Sequence, residues 1–287
     1  MAFYTTAILL GLGFAAMAMG IFISMRIFNI PDITTDGSFT LGGAVTAIML
    51  TSGTSPLLAL LMAFVAGSLS GAITAFIHTK LKIHALLSGI LVMTALYSVN
   101  LALMSRSNIP LIQTPSLFTM INFGMSEAAT QMTVLLFFTA VIFLFLTWLL
   151  KTDFGLAMRA TGNNEKMIRA LGVHTDRMKI IGLALANGLT ALSGCLITQI
   201  QGFADINMGI GIVILGLGSV MIGNILLTIF KSQNIILLLF GVILGSIIFR
   251  IILAFTLSIG IDPLYLKLVV ALFVLLVVSL PNLRRAS

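Results

Sequence analysis

Charge is what this chain has least of: of its 287 residues only 8% are Asp, Glu, Lys or Arg. A water-soluble domain needs about 25% to coat its surface, so a soluble globular fold is excluded and lipid must do the coating. Cysteine is nearly absent as well. The one thiol, Cys195, lies in an apolar stretch without a partner, which rules out a disulfide framework and leaves a small packed residue. Three histidines, 78, 84 and 174, are scattered and form no metal-ligand cluster with the acids, so no metal site is expected. No GxxxxGK[ST] phosphate loop occurs, and the chain is expected to hydrolyse no ATP, to need no cofactor and to contain no catalytic residue of its own. Basic residues do outnumber acidic ones, for a net charge of +7. They sit at segment ends rather than in a stripe interleaved with aromatics, so no nucleic-acid partner is expected.

What is present is apolar surface. Hydrophobic residues make up 59% of the chain, and its mean hydropathy is +1.19. Nine apolar stretches stand out: Tyr4–Phe28, Ser38–Leu50, Pro56–Ile77, Ala85–Met104, Ala128–Leu150, Met178–Gln201, Met208–Phe230, Asn234–Leu257 and Leu264–Leu280. The pattern predicts an all-α polytopic membrane protein with about eight or nine transmembrane helices, organised as one domain over residues 1–287. The first run lacks a basic region before it and is as long as a full span, so it reads as a membrane helix rather than a cleaved leader. The second, with LGGAVTAIML at its centre, is short. It is either a broken or re-entrant helix, or a span buried too deeply in protein to need both lipid faces. The sixteen methionines read as adaptable packing.

Charge sets the expected orientation. The stretch from Lys151 to Lys179 holds Lys151, Arg159, Lys166, Arg169, Arg177 and Lys179 against Asp153, Glu165 and Asp176. By the positive-inside bias this loop is cytoplasmic. Counting spans outward from it, Lys80, Lys82, Lys231, Arg284 and Arg285 fall on the same side, and the connections near Glu127, Asp205 and Asp262 fall on the other. The expected topology has the N-terminus outside and the C-terminus cytoplasmic. The polar stretch Ser105–Ser126, with two prolines, is then an external loop with structure of its own.

Two segments echo one another. GLGFAAMAMGIFIS followed by NIPDITTDGSFTLGGAV is similar to GLALANGLTALSGCLIT followed by GFADINMGIGIVILGLGSV. The first copy enters from outside and the second from inside, the arrangement of an inverted repeat with a pathway between its halves. Polar groups in or near spans are candidates to line that pathway: Asp36, Ser38, Asn100, Asn187 and Asn207, with Gln199, Gln201 and Asn224 beside them. For each, the rival reading is an interhelical hydrogen bond that only holds helices together. Arg250 is the most buried-looking charge and is expected to snorkel toward the external face. Ser70 and His78 raise the possibility of an intramembrane serine hydrolase. Eight residues of one helix separate them by about 12 Å of rise, too far for a dyad. Gly67, Ser68, Ser70 and Gly71 make a close-packing face instead.

Within the basic loop, Asn163 or Asn164 can cap a helix, Glu165 suits its first turn, and Gly172 stops it. The expected helix is Glu165–Leu171, with a second start at Thr175 and Asp176. Met167, Ile168, Ala170 and Leu171 give it an apolar patch rimmed by Lys166 and Arg169. By itself such a patch suits either a protein partner or the surface of the anionic leaflet.

The run GLAMRATGNNEKMIRALGVHTDRMKIIGLALANGLTALSGCL resembles the cytoplasmic loop of ABC-transporter permeases of the branched-chain amino-acid type. FNIPDITTDGSFTLGGAV resembles the family's segment after the first helix, in wording similar to a subgroup associated with aromatic amino acids or unassigned substrates. The resemblance implies that Glu165, Met167, Ile168, Arg169, Ala170, Leu171 and Gly172 form the coupling element for an ATP-binding subunit. It implies two cytoplasmic ATP-binding subunits, an external solute-binding protein, a second permease copy (the same chain or a relative), a bacterial inner-membrane location and import of a small solute of amino-acid type. The alternative is an ion-coupled secondary transporter or facilitator. That reading requires an ion site in the membrane, for which Asp36 is the evident acid.

Overall fold

The structure, a computed structural model, describes residues 2–112, 114–121, 126–229 and 234–286. Nine apolar helices, one for each stretch, occur among the described residues: α1 (Ala2–Ile21), α2 (Thr34–Thr51), α3 (Pro56–Lys80), α4 (Ala85–Met104), α6 (Glu127–Lys151), α9 (Thr175–Gln201), α10 (Ile212–Ile229), α11 (Ile235–Ser258) and α12 (Leu266–Ala286). Short helices α5 (Leu117–Met120), α7 (Asp153–Asn163) and α8 (Glu165–Ala170) occupy the connections. Phe230 and Lys231 lie outside the described residues, as do the side chains of Arg284 and Arg285.

Six of these helices are long and apolar enough to cross a membrane, α1 among them together with the π-helical turn Phe22–Ile27 that continues it. α2 answers the question its short apolar core raised. It is a continuous helix of 18 residues, 14 of them buried, and at about 27 Å it nearly matches a hydrocarbon core. Protein rather than lipid surrounds it, so its Thr, Ser and Gly content carries no solvation penalty.

Packing follows the repeat. α1 lies against α11, and α9 lies against α3. α2 touches α3, α4 and α9, as α10 touches α11, α12 and α1. Exchanging α1 with α9, α2 with α10, α3 with α11 and α4 with α12 therefore maps one set of contacts onto the other. The helices meet through small residues, because lipid offers no hydrophobic drive for association and close van der Waals approach must supply it. At Gly71 an added methyl would collide with the Leu183 carbonyl, at Gly67 with the side chain of Ala191, and at Gly42 with the Ala191 backbone. Ser193 Oγ donates to Gly13 O at 2.6 Å, and Ser246 Oγ to Gly11 O at 3.0 Å.

The connection after α4 is folded, as its prolines suggest. β1 (Asn108–Pro110) pairs antiparallel with β2 (Phe203–Asp205), which ties it to the turn after α9. α5 is closed by a reciprocal Ser116–Thr119 cap, buries Leu117 and Phe118 against Leu9, Leu12 and Leu135, and receives Gln199 Oε1 at the Leu117 N–H. Arg250, within α11, departs from expectation. Its guanidinium does not snorkel outward but sits 3.8 Å over the Phe14 ring, which stacks on Phe39 at 5.5 Å. The ring's negative face substitutes for the water the charge would otherwise seek.

Gly71→Val should lower the thermal midpoint in detergent sharply, by overpacking of about 3 kcal/mol or more. Ser52→Val, at an exposed helix end, should leave it within a degree or two; equal losses in both variants would show that the α3–α9 approach is not critical.

Candidate coupling surface and translocation path

The basic loop folds as two helices, of which the sequence announced one. α7 is capped by Thr152, whose hydroxyl accepts from the Gly155 N–H. Gly162 then brings α7 so close to the Ile27 carbonyl that no side chain fits between them. Of the two asparagines proposed as a cap for α8, Asn164 serves: its Oδ1 accepts from Met167 N at 3.1 Å. The helix ends at Ala170, one residue short of expectation. Leu171 takes the C-cap position, and Gly172 turns with φ +85°, a conformation that costs a glycine little.

The face of α8 is divided. Met167 and Leu171 point outward, 59% and 69% exposed, with Ala170 and Lys166 also exposed. Ile168 is half buried. Arg169, expected at the rim of the patch, is exposed and is also held by partners. Its guanidinium reaches Glu165 at 2.8 Å, Thr175 at 2.8 Å and Asp176 at 3.1 Å. Lys179 closes on Glu165 at 2.6 Å, and Lys80 at the end of α3 meets Asp176 at 3.2 Å. The five charged groups form one network linking α8, α9 and α3, and a network holds geometry better than isolated exposed pairs do. It also places Lys80 on the same side as α7 and α8, as the charge pattern required. Burial opposes ionisation of Glu165, but Lys179, Thr175 and Arg169 outweigh it and hold its carboxyl below the usual range.

The candidate path residues separate into two groups around α2. The first is a buried network at the α2–α3–α9 junction. Asn187 Nδ2 donates to Asp32 Oδ2 at 2.6 Å, Ser38 Oγ donates to Asn187 Oδ1 at 2.7 Å, and Ser38 meets Ser70 at 2.7 Å. Thr34 and Thr74 pair beside it at 2.7 Å. Asp32 was not among the candidates, although it is fully buried and central. Its Oδ1 accepts from Thr34 N, an Asx turn that the Asp-x-Thr spelling offered as a signal. Ser70 is committed here, while His78 Nδ1 bonds Ile83 O at 2.9 Å, so the two never meet as a dyad.

The second group faces the start of α10. Both oxygens of Asp36 are used: Oδ2 accepts from Gly211 N at 2.9 Å and Oδ1 from Val213 N at 2.8 Å. A carboxylate in the first turn of one half's short helix thus caps the short helix of the other half, where the orphan N–H groups and helix dipole favour it. Beside it, Asp36, Thr40, Tyr97, Asn100 and Ile210 line a small cavity of about 30 Å³. Asn100, 1% exposed, donates to Gly37 O at 3.2 Å, and its Oδ1 is buried without a partner. Asn207 lies apart from both groups, exposed in the turn before α10, with its N–H donated to Asp205 Oδ1.

Comparison with known proteins settles the family. The profile described as branched-chain amino acid transport system, permease component, matches residues 3–279. The chain belongs to this family. A tyrosine transport system permease protein of Clostridioides difficile (strain R20291) is 40% identical over 267 residues, covering 93% of this chain and 87% of the relative. An uncharacterized protein of Rickettsia prowazekii (strain Madrid E) is 36% identical over 270 residues, 94% of this chain and 93% of its own. Among solved structures, an ABC transporter described as metal-chelate type, in an inward-facing conformation, matches with a TM-score of 0.54 at 15% identity, over 98% of this chain and 85% of that one. That likeness concerns the fold. The chain is accordingly a multi-pass permease of the ABC-importer family, and the family associates with ATP-binding subunits and a binding protein.

Two outcomes test this geometry. Asp36→Ala should cost about 1–2 kcal/mol of helix capping and speed hydrogen exchange at the Gly211 and Val213 amides well above that at Leu183. For Glu165, a lowered carboxyl contributes stability that is complete above its unfolded value of about 4.3 and is lost as pH falls through the lower folded value. Exchange protection across residues 165–176 should therefore be flat from pH 8 to 5 and drop only in stronger acid.

Proposed function

We propose that this permease moves an amino acid inward, with the exposed patch of Met167, Ala170 and Leu171 on α8 as the contact for an ATP-binding subunit. The observation that carries this reading is the division of α8. Glu165 and Arg169 are spent on the network to α9 and α3, while Met167 and Leu171 face out and Ile168 is half buried. An apolar patch on a firmly anchored helix suits a protein partner that pushes and pulls. The loop is cytoplasmic, so the N-terminus is outside, the C-terminus is inside, and residues 1–287 act as one membrane domain of a bacterial inner membrane. The paired loop of β1 and β2 meets the external binding protein. A second copy, identical or related, completes the path, and ATP is hydrolysed by the partner alone.

The family description and the tyrosine permease relative support an amino-acid substrate, and an aromatic one in particular. Asp36 and Asn100 are the residues closest to such a path, at the meeting of the two short helices where broken-helix transporters place their sites, while Asn207 stands apart in the turn before α10. Ser38 and Asn187, both fully engaged, hold the walls in place.

Leu171→Asp and Gly172→Arg should each abolish ATP-driven uptake of tyrosine in vesicles containing the complete transporter, and should reduce recovery of the ATP-binding subunit by pull-down, with normal membrane insertion. Full uptake in both variants, or uptake that survives ATP depletion and follows an ion gradient, would falsify the coupling role.

A further inference from the structure

The first span does not finish as an ordinary α-helix. From Phe22 to Ile27 it widens into a π turn, and Asn29 follows with φ +54° and donates its side-chain amide to Gly162 O at 3.1 Å. Such turns concentrate at functional positions. Here the wide turn is held open from behind, because Phe28 fills the space over Gly182 and Gly162 abuts the Ile27 carbonyl.

Between this turn, α7 and the start of α11 lies a cavity of about 500 Å³. Its polar lining among the described residues is Arg26, Asn29, Arg159 and Asn163, with no acid among them. Arg26 and Arg159 are exposed, and among the described residues neither guanidinium makes a hydrogen bond or an ion pair. This contrasts with Arg169 a short distance along the chain, which is held by two carboxylates. The rest of the wall is apolar: Phe22 and Ile27 from the π turn, Leu156 from α7, Ile235 and Leu238 from α11. Leu156 remains half exposed at the rim. Ile27 ends the first span and Ile235 begins another, which sets the cavity at the depth where hydrocarbon gives way to headgroups.

We propose that this cavity is a lipid site that holds the phosphodiester of an anionic phospholipid from the leaflet on the α7–α8 side. Two arginines line the one cavity, and a phosphate supplies the pairs of acceptors that guanidinium forks match. Basic pockets between membrane helices on this side of a protein suit anionic headgroups. The apolar wall distinguishes a lipid from a free anion: an acyl chain lies along Leu156, Ile235 and Leu238, where inorganic phosphate would leave the wall bare. It also distinguishes a lipid from an acidic side chain of the motor subunit, whose contact has the exposed face of α8. An occupied site would brace the end of α1 against α7, the helix that leads into α8.

The test uses the full chain in neutral detergent with mixed micelles of phosphatidylglycerol or phosphatidylcholine. Phosphatidylglycerol should raise the unfolding midpoint and phosphatidylcholine should not. The double variant Arg26→Gln, Arg159→Gln should bind phosphatidylglycerol about thirtyfold more weakly, from roughly one surface charge interaction lost per arginine. Arg177→Gln, an exposed arginine elsewhere on this side, should bind as the unaltered chain does. Unchanged affinity in the double variant overturns the site. So does full stabilisation by inorganic phosphate without lipid, which would make it a free-anion site. A third arm needs no arginine variant: in Ala160→Cys, phosphatidylglycerol should shield the new thiol from a water-soluble maleimide. Shielding by the ATP-binding subunit in phosphatidylcholine, and none by phosphatidylglycerol, would assign the pocket to a protein acid and overturn the lipid.

Discussion

The approach of α9 to α2 and α3 is the constraint on which the rest of the molecule depends. Inside lipid there is no hydrophobic gain in bringing apolar helices together, so contact must come from dispersion at short range and from hydrogen bonds that lipid cannot replace. Gly42, Gly67 and Gly71 present bare backbone to α9, and Gly194 of α9 presents the same to Phe39. Only at that spacing can Asn187 reach Asp32 and Ser38 at once. The close packing and the buried polar network are therefore one feature. Glycines set the distance, and the distance lets every polar atom of Asn187 find a partner, in a setting where an unsatisfied one is costly.

Fixing α2 in this way has a consequence at its other face. Once α2 is held between α3 and α9, Asp36 is presented to the first amides of α10, and the two repeat-related short helices meet end against side. The same carboxylate that makes an ion site thinkable on composition is thus engaged by two backbone donors. An Asp with both oxygens occupied in this way orders a helix start.

Much of this was legible in the sequence. Each apolar stretch became a helix, with Ala85–Met104 matched to the residue, because runs of such length and hydropathy have no soluble alternative. The short helix α8 was readable from Asn164, Glu165 and Gly172, since caps and stops act locally. The small-residue face of α3 was readable too, as the bland reading of what otherwise resembled a serine site. What escaped was relational. Thr152 and Asp153 are a local start signal for α7, but its polar and apolar residues are arranged for a partner, the π turn, that lies far away in sequence, so the start alone did not mark a separate helix. The anchoring of Arg169 depends on Thr175 and Asp176 lying in the next helix. Arg250 was assigned to snorkelling because the alternative, a ring on α1, is invisible until α1 and α11 are packed. The role of Asp36 as a cap for α10 required knowing that two segments related by repeat also touch.

These contacts also divide the molecule mechanically. α8 cannot shift against α9 without breaking the Glu165–Lys179 and Arg169–Asp176 pairs, nor against α3 without breaking Lys80–Asp176. α9 in turn cannot slide along α2 or α3, because each step drives a Cβ or a carbonyl into a neighbouring backbone. A displacement of α8 therefore carries α9, α2 and α3 together as a unit. The junction between α2 and α10 is of another kind: beyond the close approach of Gly209 to the Asp36 carbonyl, it rests on the two amide bonds to Asp36, beside a small cavity with an unpaired Asn100 oxygen. Hydrogen bonds to a helix start can be exchanged for water or for a solute at modest cost, whereas interlocked glycines cannot yield by degrees. Motion of α10 against that unit thus falls where Asp36 meets its first amides, which is the place where a path between the repeats would open.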